Sequence, residues 1–182
     1  PELSDKFVED NFKDFYKGYK NTAEDYTKYI RDSVVMDMAW ENVYTASKIN
    51  DYPEDLLKQV KKQYRTPVEY YLKQQGVELE GYLAMQSMTA EDFDKQVETS
   101  AKSDLGKRMV FNTIAHKENI VIGEDEFKEV LDMYLKEYSV ESQDELDKLF
   151  EEYYGSKSEN IINNEVLYKK VNEFLATKVK EK

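Results

Sequence analysis

Residues 101–127 read AKSDLGKRMVFNTIAHKENIVIGEDEF, and this stretch decides the fold. Ala101 and Leu105 continue a line begun by Phe93 and Val97, a spacing of four that puts all of them on one face of a helix. That helix is expected from about Glu91 to Asn119, and the run 101–127 passes from basic to acidic character. Gly123 then precedes another amphipathic helix, with Phe127, Val130, Leu131, Tyr134, Leu135 and Tyr138 at helical spacing.

The flanking sequence repeats this logic. Thr89-Ala90-Glu91-Asp92 is a capping pattern, a threonine able to accept from the first turn and an acid able to reach back. Thr22-Ala23-Glu24-Asp25 has the same pattern and opens a helix that can run to about Asn50 without Pro or Gly. At 1.5 Å per residue such a helix is on the order of 40 Å long. Ile30, Val34 and Met38 form one apolar line; Val35, Ala39, Val43 and Ala46 form an adjacent one. Met36, Trp40 and Tyr44 widen the surface further, so this helix is either sandwiched between neighbours or presents a spare apolar face.

Pro53-Glu54 starts the next helix, with Leu56, Leu57, Val60 and Tyr64 on its face. Pro67 is expected to kink or break it near Thr66. The run resumes through Val68, Tyr71 and Leu72 and stops near Gly76, and Gly81 to Met85 reads as a short apolar connection. Ser142-x-x-Glu145 is a capping box for a helix carrying Leu146, Leu149, Phe150 and Tyr153, closed by Gly155. Ile161, Ile162, Val166, Val171, Phe174 and Leu175 mark the last helix. At the other end, Phe12, Phe15 and Tyr19 predict a short helix ending near Gly18. No segment alternates like a strand, so the chain is expected to be all-α.

Composition narrows the function. With 38 acidic and 26 basic residues the net charge is −12, and no window gathers Lys or Arg free of carboxylates. Nucleic-acid binding and docking on an anionic membrane are therefore not expected. Cysteine is absent, which removes disulfides and thiolate metal sites. No apolar run approaches the roughly 18 residues that span a bilayer. The chain starts at Pro1, which reads as a mature or excised piece, and a cytoplasmic address is expected.

No enzyme chemistry emerges. His116 is the only histidine, too few for a triad or a zinc centre, and Thr113 stands where a Glu-x-x-His metal motif needs its carboxylate. Asp125-Glu126 and Glu151-Glu152 read as solvated faces, and the glycines lack phosphate-cradling spacing. No catalytic residue, metal or cofactor is expected. Fifteen tyrosines, eight phenylalanines and six methionines are the unusual quantity. Tyrosine offers a broad apolar ring with a polar tip, and methionine is soft and adaptable. A surface rich in both can take varied chains; the same residues can equally pack thin helical layers.

Pro1-Glu2-Leu3 with Phe7, Ile49 with Pro53-Glu54-Asp55-Leu56-Leu57, Gln75-Gly76, Tyr82-Leu83, Thr89 with Phe93, and Ile114-Ala115-x-x-Glu118-x-Ile120 follow one another in an order that resembles the C-terminal, substrate-binding domain of bacterial trigger factors. The resemblance covers nearly the whole chain. It implies an elongated helical body with two protruding helical arms around a crevice, an architecture shared with periplasmic SurA-type chaperones. Residues 1–21 would be a connector, about 22–50 and 158–182 the body, and about 52–118 and 119–157 the arms. The family's glycine–phenylalanine–arginine ribosome-docking motif and its isomerase-like β-rich segment have no counterpart in these residues. Ribosome docking and proline isomerisation are therefore not expected of this chain, and self-association is.

The resemblance implies an ATP-independent holdase for unfolded or nascent polypeptides. Residues whose apolar groups fall off the main core lines are the expected client contacts: Met36, Trp40, Tyr44, Tyr64, Tyr71, Tyr82, Met85, Met88, Met133, Tyr134 and Tyr154. The alternative is a helical scaffold or adaptor that binds one folded partner.

Overall fold

A computed structural model describes residues 4–12 and 22–179. Every regular element among them is helical: α1 (Asp5–Phe12), α2 (Ala23–Ala46), α3 (Glu54–Gln74), α4 (Leu79–Met85), α5 (Ala90–Glu118), α6 (Glu124–Glu137), α7 (Gln143–Tyr154) and α8 (Ser158–Ala176). The all-α class expected from the sequence is therefore found. Phe15 and Tyr19, expected in the first short helix, lie outside the described residues, as does the side chain of Phe12.

The chain divides into two compact units, Pro1–Ala46 with Asn172–Lys182, and Ser47–Val171. In the first unit α1 packs on α2 and buries Val8. The Asp5 carboxylate accepts from the Ala23 N–H at 2.8 Å, and Thr22 caps α2 by accepting from the Asp25 N–H at 3.1 Å. Ile30, Val34 and Met38 are exposed, whereas Trp40 is buried and stacks on Tyr44 at 5.7 Å. The first apolar line of α2 is thus the spare face.

In the second unit α3 packs on α5, α7 and α4, and α6 on α7. Burial of Phe93, Val97, Ala101 and Leu105 follows the line read from the sequence. Val60 of α3 joins Ala101 and Leu105 in one core cluster; Leu83 of α4 joins Phe93 and Val97 in another. The Arg65 guanidinium straps α3 to α5, reaching Asp94 at 2.6 Å while lying over the Phe93 ring.

Caps mostly fall where the sequence put them. Thr89 and Asp92 complete a reciprocal box at the start of α5, and Asn119 ends that helix in the left-handed region at φ 54°. Ser142 accepts from the Glu145 N–H at 3.3 Å, but Glu145 reaches back to the Glu141 N–H instead of closing the box. Gly155 ends α7 at φ +67°, where a Cβ would lie 2.7 Å from Thr66 Oγ1. That glycine is what lets the end of α7 approach α3.

Of the kink or break expected at Pro67, the break does not occur. Helix α3 runs from Glu54 through Gln74 with Pro67 inside it. Proline removes one helical donor, so the Gln63 carbonyl loses its partner four residues on, while packing along α5 and α7 carries the helix across.

Candidate functional site

Helix α6 with its C-cap, and helix α7, each carry aromatic residues four apart, Tyr134 with Tyr138 and Phe150 with Tyr154, so each pair lies on one face. Phe150 is buried, and the rings of Tyr134, Tyr138 and Tyr154 meet it edge-on at centroid distances of 5.4, 5.1 and 5.1 Å. Edge-to-face geometry suits aromatic quadrupoles and leaves each tyrosine's remaining ring surface free for another contact. Together with Tyr64 of α3, these rings line an open cleft of about 380 Å³.

The polar tips of the cleft are held in place. Tyr134 donates to Glu165 of α8 at 2.8 Å, and the Tyr138 and Tyr154 hydroxyls share a hydrogen bond at 2.6 Å. Burial, reinforced by the Glu165 bond, pushes the Tyr134 phenol well above its usual value. Tyr138 is raised by burial and by its bond to Tyr154, and Tyr64 by burial and the nearby Asp104 charge. These phenols therefore stay neutral donors across physiological pH.

Charge in the cleft is internally cancelled. Arg108 forks onto Asp104 at 3.2 and 2.6 Å, and its Nη2 also donates to Gln63 at 2.9 Å. The result is an aromatic recess with hydroxyls and a neutral ion pair at its edge. It can accept an apolar or aromatic side chain. Its one carboxylate, Asp104, is held by Arg108.

Of the residues expected to contact clients, the structure brings Tyr64, Tyr134 and Tyr154 together in this cleft. Met133 is exposed on α6 but does not line it. Tyr71 and Met85 are exposed elsewhere in the second unit, and Tyr82 and Met88 pack half-buried against the Leu83–Phe93–Val97 cluster. Met36 and Tyr44 are half-buried in the first unit, and Trp40 is 6% exposed, leaving it almost no surface to offer. Tyr138 and Phe150 were missed as site residues. Both lay on helical stripes read as core, and only the i, i+4 pairing with Tyr134 and Tyr154 could have flagged them.

His116 is exposed in the last turn of α5. Among the described residues no group of three or more His, Cys, Asp or Glu could hold a metal ion. None of the described helices is long and apolar enough to cross a membrane.

Residues 8–177 match the family model described as "Bacterial trigger factor protein (TF) C-terminus". The chain belongs to this family. Similar proteins include trigger factors of Ureaplasma parvum (26% identical, covering 96% of this chain and 39% of the relative) and Agathobacter rectalis (25% identical, 100% and 41%). The trigger factor of Acetivibrio thermocellus is 24% identical over 99% of this chain and 42% of its own length. The chain thus spans about two-fifths of the length of these relatives. No solved structure matches significantly.

Proposed function

We propose that this trigger factor domain is an ATP-independent holdase that binds unfolded or nascent polypeptide segments. The observation that carries the reading is the tyrosine cleft of the second unit. A folded domain would be expected to fill so large an aromatic recess with its own side chains; here Tyr64, Tyr134, Tyr138 and Tyr154 keep ring surface toward open space. Tyrosine suits a site that must be wet when empty and apolar when occupied, because its hydroxyl holds fixed bonds while the ring accepts the client. The recess makes no charge demand, so many sequences fit it.

In this reading residues 52–118 and 119–157 are the client-holding arms, and Tyr64, Tyr134 and Tyr154 the principal contacts, with Tyr138 added. Tyr71, Met85 and Met133 are outlying apolar contacts, each weak and acting through avidity. The net charge of −12 keeps a loaded complex soluble and excludes nucleic acid as the cargo. Neither a cofactor nor a nucleotide is required, and the setting is the cytoplasm.

The test dilutes two unrelated, chemically denatured proteins into buffer with and without this chain, no nucleotide added. Suppression of aggregation of both near stoichiometric ratio is expected, and a Tyr64→Ser/Tyr134→Ser/Tyr154→Ser variant of unchanged helicity should lose most of it. Failure of the intact chain on both proteins overturns the reading. An adaptor for one folded partner is favoured instead by the exposed Ile30, Val34 and Met38 stripe of α2. That alternative predicts that Val34→Ser, and not the tyrosine variant, abolishes binding.

A further inference from the structure

The tyrosine cleft does not end at its aromatic wall. It shares Gln63 and Arg108 with a second cavity of about 360 Å³, floored by Val60 and Leu105. Gln59, Gln63, Asn112, Asn160 and Asn164 line that second cavity, five of the chain's seventeen Asn and Gln residues. In a chain whose residues are 35% charged, a groove edged by neutral carboxamides stands apart. Its one charged lining residue, Arg108, is neutralised by Asp104.

We infer that this carboxamide groove binds the main chain of an extended, unfolded segment whose apolar side chain occupies the neighbouring tyrosine cleft. The inference rests on the holdase reading above and deepens it by naming what is recognised.

A side-chain carboxamide carries one acceptor oxygen and two N–H donors, the complement of a peptide group, and no charge. It can therefore pair with any backbone whatever the side chains. Several of these groups are already oriented. Asn112 Nδ2 donates to the Arg108 carbonyl at 2.7 Å, and Asn164 Nδ2 to the Asn160 carbonyl at 2.7 Å, which leaves both Oδ1 atoms as fixed acceptors. Gln63 Oε1 accepts from Arg108 at 2.9 Å, which leaves its amide N–H groups to donate. Donors and acceptors held before binding lower the ordering cost of capture.

The chemistry also selects for the unfolded state. Folded proteins pair their main-chain N–H and C=O groups internally, whereas an unfolded segment offers them free. A phosphodiester backbone is a poor occupant, because the groove's cation is already bound to a carboxylate. The predicted cargo is thus a polypeptide with an aromatic or large aliphatic residue beside unpaired main chain.

The test compares a fluorescent, unstructured peptide carrying one aromatic residue with an analogue in which backbone amides flanking that residue are replaced by esters. The replacement removes N–H donors and keeps the side chains. Fluorescence anisotropy reads both affinities on the intact chain and on a leucine variant, Asn112→Leu/Asn164→Leu, which removes the two oriented Oδ1 acceptors. The intact chain should bind the ester analogue about tenfold more weakly. The leucine variant should bind both equally. Equal binding by the intact chain overturns main-chain recognition, and discrimination that survives in the leucine variant overturns its assignment to these carboxamides. If the peptide binds neither protein, the holdase reading fails with it; if Tyr134→Ser/Tyr154→Ser alone abolishes binding while the esters have no effect, the holdase reading stands and this inference falls.

Discussion

Two helices of similar length are used in opposite ways in the two units. In the first, α2 runs 24 residues and buries Trp40, while Ile30, Val34 and Met38 face outward. In the second, α5 runs 29 residues and buries eight, among them Phe93, Ala101, Leu105 and Phe111. Both have apolar residues over much of their girth. Within the second unit α5 is flanked by α3 and α4, and within the first α2 packs on α1. Apolar periodicity records that a face exists; the partners decide which face is covered.

The contrast fixes where substitutions matter. The largest expected effect is Phe150→Ala, which removes the ring that Tyr134, Tyr138 and Tyr154 lean on and should cost about 4 kcal/mol in urea unfolding. A cost under about 1 kcal/mol would mean that the cleft floor is not a packed core. Next comes Gly155→Ala. A left-handed backbone and a Cβ driven against Thr66 should together cost about 3 kcal/mol, and adding Thr66→Ala should return part of that by relieving the contact but not the backbone.

A smaller effect concerns alkaline pH. The Tyr134 phenol is raised by burial and by Glu165, so the fold favours its neutral form. That contribution is fully present below the ordinary tyrosine value of about 10 and fades as pH rises above it, since the unfolded chain ionises first. Tyr134→Phe should therefore flatten the alkaline stability loss, read by urea unfolding as a function of pH. The smallest effect is expected for Val34→Ser on the open face of α2, within about 0.5 kcal/mol, read through the fluorescence of Trp40. A large loss there would erase the distinction between the units.

Much of the fold was legible because helix ends carry local chemistry. Thr22, Thr89 and Ser142 announced helix starts, Asn119 and Gly155 helix ends, and the α5 core line was readable from spacing alone. Of the kink or break that Pro67 announced, the break is absent because a proline penalty is local, whereas the packing of α3 against two helices is not. On α2, nothing in the sequence distinguished Ile30, Val34 and Met38 from core, since exposure depends on which neighbours arrive. The cleft was half legible: tyrosine abundance singled out Tyr64, Tyr134 and Tyr154, but their convergence requires α3, α6 and α7 to meet. Gln63, Asn112 and Asn164 carried no signal at all, because carboxamides on a helix surface are unremarkable until three helices bring them to one groove.

The central claim is that the second unit's cleft captures unfolded chains. It is tested most directly by placing a photo-crosslinking residue at Tyr64, on the cleft, and separately at His116, exposed outside it, then illuminating with a denatured client and with the same client folded. The account predicts strong crosslinking from position 64 to the denatured client alone and little from position 116. Equal yields from the two positions, or equal yields with folded and denatured client, would contradict it.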